Sequence, residues 1–322
     1  MRTLGRLLRD GTVRAFVMLC VLVCAFSVLA LMQRVRVGPE TVFSILQNFA
    51  TYGSVALGLG LTMMLREFDI SISGIFGLGG CIAVLVGTVS PVLGLLAAVL
   101  SGLIGGAAQG LLMVRLQLGS VAVTLGGLLT FSGIAYVLTA NQSVSFGNLA
   151  VAMAMNAPIL HIFSIRSLAA IFVFIIAAFV VSFTRIGRDM IAVGSDRQAS
   201  RVAGVAVQPI LVGVFAASGM LSAISGAFLS YSLAAASPAG LSDVTVPAVA
   251  AVILGGGSLV GGTGRPLGTA MGVLILSLLR TALTTLGARP YVQEFVTGIV
   301  LLVVAISDGP DLVRRLYAIS KI

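Results

Sequence analysis

The chain has 322 residues, of which 58% are hydrophobic and only 9% charged, with a net charge of +9 at neutral pH. A soluble domain carries about 25% charged residues, so this composition describes a polytopic membrane protein with no room for a sizeable soluble domain. The basic residues are dispersed among apolar segments, which argues against nucleic acid and for membrane orientation signals.

A helix needs about 20 apolar residues to cross a bilayer. In chain order the segments are 15–32, 42–65, 70–89, 92–114, 120–139, 168–183, 210–233, 244–259, 266–286 and 291–307, which makes ten spans of an all-α fold. The first follows four arginines, but its core is too long for a signal peptide and no A-x-A site follows, so it reads as an anchor. Cys20 and Cys24 in the first segment and Cys81 in the third lack a histidine beside them and read as buried packing residues rather than metal ligands. The third and eighth segments, interrupted by serine and glycine, read as broken helices. Gly102, Gly106 and Gly110 in the fourth, and Gly264, Gly268 and Gly272 opening the ninth, are small-xxx-small steps for close helix packing. The loop 140–167 is the largest outer connection, and its His161 reads as a surface residue.

Placing the N-terminus inside puts Arg2, Arg6, Arg9, Arg14, Arg66, Arg115, Arg185, Arg188, Arg197, Arg201, Arg265, Arg314, Arg315 and Lys321 on the cytoplasmic side. Arg34, Arg36, Arg166 and Arg289 fall outside, and Arg280 lies within the ninth segment. Shifting the count by one span destroys this asymmetry, so it supports both the ten spans and their direction. Segments two to five and seven to ten also suggest an inverted repeat, with Asp69 and Asp243 as matching landmarks before the two broken segments.

The longest polar run is 184–204, TRIGRDMIAVGSDRQASRVAG. Ser195 and Gln198 have capping-box spacing, so a short helix is expected to start at Ser195, with Asp196 in its first turn and Gly204 closing it. Arg197 and Arg201 share a face, while Met190, Ile191, Val193, Val202 and Ala203 are expected to pack inward. Such an element is either a docking site or a helix lying on the membrane surface.

Other motifs are read against plainer alternatives. The glycine-rich run 255–268, GGGSLVGGTGRPLG, has no lysine and so is not a Walker loop; it is close packing with a tight turn, or else backbone lining a pathway. Asp69 is expected to be an interfacial cap for the third segment, aided by Ser71 and Ser73. Arg280 either pairs with Glu294 or snorkels. One loop histidine supplies neither a nucleophile–base pair nor a metal motif, which argues against a hydrolase. No acid or histidine is clearly at mid-membrane to serve ion coupling. A translocator without its own motor would borrow one through the 184–204 element.

At these residues the sequence resembles the permease subunits of ribose-type (monosaccharide) ATP-binding cassette importers, over about 42–308. A GGIDLSVGS-like motif is matched by REFDISISG at 66–74, and a TLGxxxxxxGxxxxLT helix by TLGGLLTFSGIAYVLT at 124–139. TRIGRDMIAVGSDRQASRVAGV at 184–205 covers the T-R-x-G-R region, and GGGSLVGGTGRPLGTAMG at 255–272 the GG-SL-GG-G-GT segment. Two departures stand out: Arg66 and Glu67 replace paired glycines, and Thr245 and Pro247 replace acids.

The resemblance implies a type II importer-like fold of one membrane domain, spanning 1–322, in a bacterial cytoplasmic membrane with both termini cytoplasmic. It implies a second permease copy, cytoplasmic ATPase subunits carrying the ATP and Mg, an extracytoplasmic sugar-binding protein, and no cofactor on this chain. Within a coupling loop at 185–208, Arg185, Gly187, Arg188, Gly194, Ser195, Asp196, Arg197, Gln198, Arg201 and Gly204 would face the ATPase. Asp69, Ser71, Thr124, Gly126, Gly255, Gly256, Gly261, Gly262 and Gly264 would lie near the pathway or its packing core. A branched-chain amino-acid permease of the same superfamily, an ion-coupled secondary transporter and a membrane scaffold are the alternatives.

Overall fold

The computed structural model describes residues 11–34, 36–240, 243–258, 262 and 264–319, with backbone alone at 304, 305 and 307–319. Arg2, Arg6, Arg9, Gly261 and Lys321 lie outside the described residues. The helices are α1 (Gly11–Met32), α2 (Pro39–Met64), α3 (Ile72–Gly87), α4 (Pro91–Leu116), α5 (Ser120–Leu138), α6 (Leu149–Asn156) and α7 (Ile165–Phe183). They continue as α8 (Arg185–Ser195), α9 (Arg197–Val202), α10 (Val207–Ser232), α11 (Thr245–Leu254), α12 (Pro266–Thr285) and α13 (Pro290–Ile319).

Among the described residues seven helices are long and apolar enough to cross a membrane: α1, α2, α4, α5, α7, α10 and α12. The chain is therefore an all-α, polytopic membrane protein. Helix α3 has 16 residues and α11 only 10; at 1.5 Å per residue α11 covers about half of a 30 Å hydrocarbon layer. The eighth predicted segment stops at Leu254 rather than 259, because Gly255, Gly256 and Gly257 follow and Gly256 adopts φ +88°. The connection 140–167 is more structured than expected. It carries α6 and a two-residue strand β1 (Val144–Ser145), which pairs antiparallel with β2 (Ala235–Ala236) after α10.

The centre of the bundle is α10, packed most extensively on α4, then on α3 and α2. Glycines permit these approaches. A Cβ at Gly102 would meet the Gly219 carbonyl, one at Gly106 the Phe215 carbonyl, and one at Gly110 the Val212 Cα at 2.8 Å. The small-xxx-small reading of α4 is thus its seam with α10, where backbone proximity replaces the hydrophobic drive that lipid cannot provide. Gly268 and Gly272 do the same on α12, against the backbone of Gly255 and Ala251, whereas Gly264 precedes the helix and is not part of the stripe.

The contacts fall into two similar sets. Helix α3 packs on α4, α5 and α10, while α11 packs on α12, α13 and α2. Likewise α4 crosses to α10, and α12 crosses to α2. Each short helix therefore rests on the first long helix of the other quartet.

Cys81 is buried as expected, but Cys20 and Cys24 are exposed on the outer face of α1. Helical spacing put these two cysteines on one face; only packing decides which face turns inward. His161 is exposed as expected.

Candidate functional site: the turn after the second helix

Helix α2 ends at Met64, and the turn that follows, residues 65–71, collects five distant stretches of sequence. Its backbone makes a Schellman closure, with Arg66 N donating to the Met63 carbonyl at 3.0 Å and Glu67 N to the Thr62 carbonyl at 3.1 Å. Arg66 takes the left-handed position of that motif, φ +61°, where glycine is usual because it has no Cβ to clash.

From this turn Asp69 points into the bundle and is fully buried. Its Oδ1 accepts from Ser71 N at 3.0 Å and Ser71 Oγ at 2.6 Å, and its Oδ2 accepts from Ser218 Oγ of α10 at 2.8 Å. Gln109 of α4 donates from Nε2 to Ser71 Oγ at 2.9 Å. Burial pushes the Asp69 carboxyl above its ordinary range, against the hydrogen bonds from Ser71 and Ser218 that favour its charged form. The expectation of an interfacial cap is therefore corrected. Asp69 does bond the backbone leading into α3, but it sits in the interior because α4 and α10 close over it. The same turn is held from α5, where Ser120 Oγ accepts from Phe68 N at 3.2 Å and Thr124 Oγ1 donates to the Phe68 carbonyl at 3.2 Å.

The outer side of the turn meets α8 and α9. Arg197 donates to the Leu65 carbonyl and to Glu67 Oε1, each at 2.6 Å, and Arg66 donates to the Ser195 carbonyl at 2.9 Å. Gly194 lies so close to the end of α2 that a Cβ there would strike the Met64 carbonyl. Gly262 completes the junction, donating its N–H to the Met63 carbonyl at 3.2 Å. These bonds take up the carbonyls that a helix C-terminus leaves unpaired.

The short helix α9 starts one residue later than expected. Its cap is Asp196, whose Oδ1 accepts from Gln198 N at 2.8 Å and Ala199 N at 2.9 Å. Ser195 ends α8 instead, with its hydroxyl on the Ile191 carbonyl. An aspartate caps as well as a serine, so spacing alone picked the wrong neighbour. Gly204 closes α9 as expected, at φ +83°, with Val205 N on the Ser200 carbonyl at 2.9 Å and Gly204 N on that of Arg201 at 3.0 Å. Met190 and Val193 pack inward, but Ile191, Val202 and Ala203 are exposed, Val202 by 86%. With only six residues, α9 is held by Arg197, which reaches the Leu65 carbonyl, and by its buried Ser200.

The structure thus brings Asp69, Ser71, Thr124, Gly194, Ser195, Arg197 and Gly262 to one turn. It leaves Arg185, Arg188, Gln198 and Arg201 on the open surface of α8 and α9, while Gly187 is buried where a Cβ would meet the Val181 carbonyl. Gly126 faces outward from α5 and meets nothing, while a Cβ at Gly264 would make ordinary contact with Gly257 Cα and Met64 Cγ, each at 3.7 Å. Gly255 packs on α12 and Gly256 on Gly11 of α1. Sequence reasoning missed Arg66 and Glu67 as contact residues, although two charges in an apolar chain were a signal; it also missed Gln109, a lone polar residue in an apolar helix. Nothing singled out Ser218.

A second polar group lies farther along α2. Arg166, 5% exposed, donates to Thr51 Oγ1 at 2.7 Å, and Arg280, 7% exposed, donates to Tyr52 Oη and to Glu294 Oε1, each at 2.9 Å. The pairing of Arg280 with Glu294 decides against snorkelling. Between α7 and α10 runs a cavity of about 560 Å³ floored by α8, lined by residues such as Leu57, Val173, Ile210, Val214 and Met220. Such walls offer a hydroxylated solute no replacement for its hydrogen bonds to water, so this cavity is a poor place for a sugar. Among the described residues no group of three His, Cys, Asp or Glu is placed to hold a metal.

A bundle of apolar helices, a polar turn buried in it and an exposed basic helix pair fit a subunit of a membrane transporter. The profile of the family described as branched-chain amino acid transport system / permease component matches residues 41–305. The chain is 30% identical over 280 residues to the ribose import permease protein RbsC of Escherichia coli K12, covering 84% of this chain and 86% of that one. The Bacillus subtilis RbsC is 30% identical over 274 residues, covering 84% and 85%. The autoinducer 2 import system permease protein LsrC of Enterobacter sp. strain 638 is 30% identical over 308 residues, covering 94% and 88%. The chain belongs to this permease family, as its motifs imply, and the family is one of transport subunits rather than enzymes.

Proposed function

We propose that the chain is the permease of an ATP-driven importer that carries a monosaccharide or related polyol across a bacterial cytoplasmic membrane. The observation that supports this reading most is the meeting of all four motif stretches at the 65–71 turn, beneath an exposed helix pair suited to docking. The similarity to ribose and autoinducer 2 import permeases supports a sugar or related polyol as the substrate. Helices α8 and α9 dock on cytoplasmic ATPase subunits, which carry the ATP and Mg; the chain itself binds no cofactor. A second permease copy and an extracytoplasmic binding protein complete the complex. The N- and C-termini are cytoplasmic, the direction that the arginine distribution favours.

In this reading the ten predicted segments correspond to α1–α5, α7 and α10–α13, and α2–α5 and α10–α13 form an inverted repeat. Two observations support it. In both quartets a short apolar helix follows the first long one and a long one comes third, and their contacts exchange in matching pairs.

The test is reconstitution of the permease with its ATPase and binding protein in liposomes. Pentose- or hexose-dependent ATP hydrolysis with uptake is the expected result. The family description favours a second reading, a branched-chain amino acid as substrate, and uptake of isoleucine but no sugar would establish it. Uptake by the permease alone under a proton gradient would sink both.

A further inference from the structure

We propose that Arg66 and Glu67 are positioning residues that link the α8–α9 pair to the buried Asp69 cluster, so that movement of the pair is felt inside the bundle. The link rests on the docking reading above and extends it to two residues outside the docking surface.

Three observations carry it. First, Arg66 occupies the left-handed position of the turn, φ +61°, which an arginine holds at a cost that glycine escapes. An unfavourable backbone state persists where the side chain has a use, and here the guanidinium is bonded to the Ser195 carbonyl at 2.9 Å, at the junction between α8 and α9. Second, Glu67 is 10% exposed in its side chain and paired with Arg197 at 2.6 Å. Arg197 also holds the Leu65 carbonyl, so it grips the turn by both side chain and backbone. Third, the turn is short. Asp69 follows Glu67 by two residues, and its carboxylate ties α3, α4 and α10 together through Ser71, Gln109 and Ser218.

The turn is a rigid strap rather than a free loop. Phe68, between Glu67 and Asp69, has both its N–H and its carbonyl held by α5. A pull on Arg66 or Glu67 therefore cannot be absorbed by slack between them and Asp69.

The experiment uses the complete importer in nanodiscs and liposomes, with Glu67→Arg, Arg197→Glu, the double exchange, and Arg66→Gly. Each single charge reversal is expected to lower uptake at least about fivefold, the lower bound of a typical coupling between sites, and to raise the ATP consumed per molecule imported. The double exchange should recover most of that loss. Arg66→Gly separates positioning from structure, because it relieves the backbone and should leave the melting temperature equal or higher while uptake falls. Hydrogen exchange at 185–204 should rise in the three single variants and return in the double exchange. A double exchange no better than its two singles, or Arg66→Gly with full uptake, overturns the link. Wild-type complex that imports nothing overturns the transport reading instead, and the exchange data then still decide whether the turn holds the helix pair.

Discussion

The quartets α2–α5 and α10–α13 share a layout but not the chemistry of their first turns. After α2 the chain reverses within seven residues, and its aspartate, Asp69, is fully buried with hydroxyls on both carboxylate oxygens. After α10 the connection is longer, carries the strand paired to β1, and leaves Asp243 exposed, where its Oδ1 accepts from Thr245 N at 3.2 Å. One acid organises the interior and the other starts a helix at the surface. The cause lies in the neighbours: α4 and α10 approach closely enough, through Gly106 and Gly110, to enclose Asp69.

Substitutions can break this contrast, and the largest effect belongs to Asp69. Asp69→Ala strands the Ser71 and Ser218 hydroxyls in the interior, and each unpartnered buried group costs about 1–3 kcal/mol, so a loss of about 3 kcal/mol is expected in thermal unfolding of the detergent-solubilised protein. Next comes Gly194→Leu, which pushes α8 away from the Met64 carbonyl at a cost of about 2 kcal/mol; amide exchange at residues 63–67 should quicken. Gly204→Val sets a β-branched residue in a left-handed position and Asp196→Ala removes a cap, each costing about 1 kcal/mol, read as lost protection confined to α9. The smallest effect is expected of Asp243→Ala, about 0.5 kcal/mol, as for a surface site. Equal losses for Asp69→Ala and Asp243→Ala would erase the distinction between the two turns.

The same contrast shows how much was legible beforehand. Hydrophobic runs located each long helix to within a few residues, and Gly204 was recognisable as a helix terminator from its chemistry. The cap of α9 was misplaced by one residue because Ser195 and Asp196 are both good caps. Of the five residues expected to face inward on α8 and α9, Met190 and Val193 are covered by the bundle, whereas Ile191, Val202 and Ala203 are exposed. Arg66 and Glu67 looked like departures from a glycine pattern, and only their distances to Ser195 and Arg197 give them a role.

By itself the sequence determined the solvent of this protein, its helical class and the family it belongs to, since apolar length and motif chemistry are local properties of the chain. Only the tertiary structure decided that Asp69 is interior and Asp243 is not, that Cys20 and Cys24 face outward, and that residues some 130 positions apart meet at one turn (Arg66 with Ser195, Glu67 with Arg197). Burial and hydrogen-bond partnership depend on which helices approach through their glycines, and that is settled between segments rather than within them.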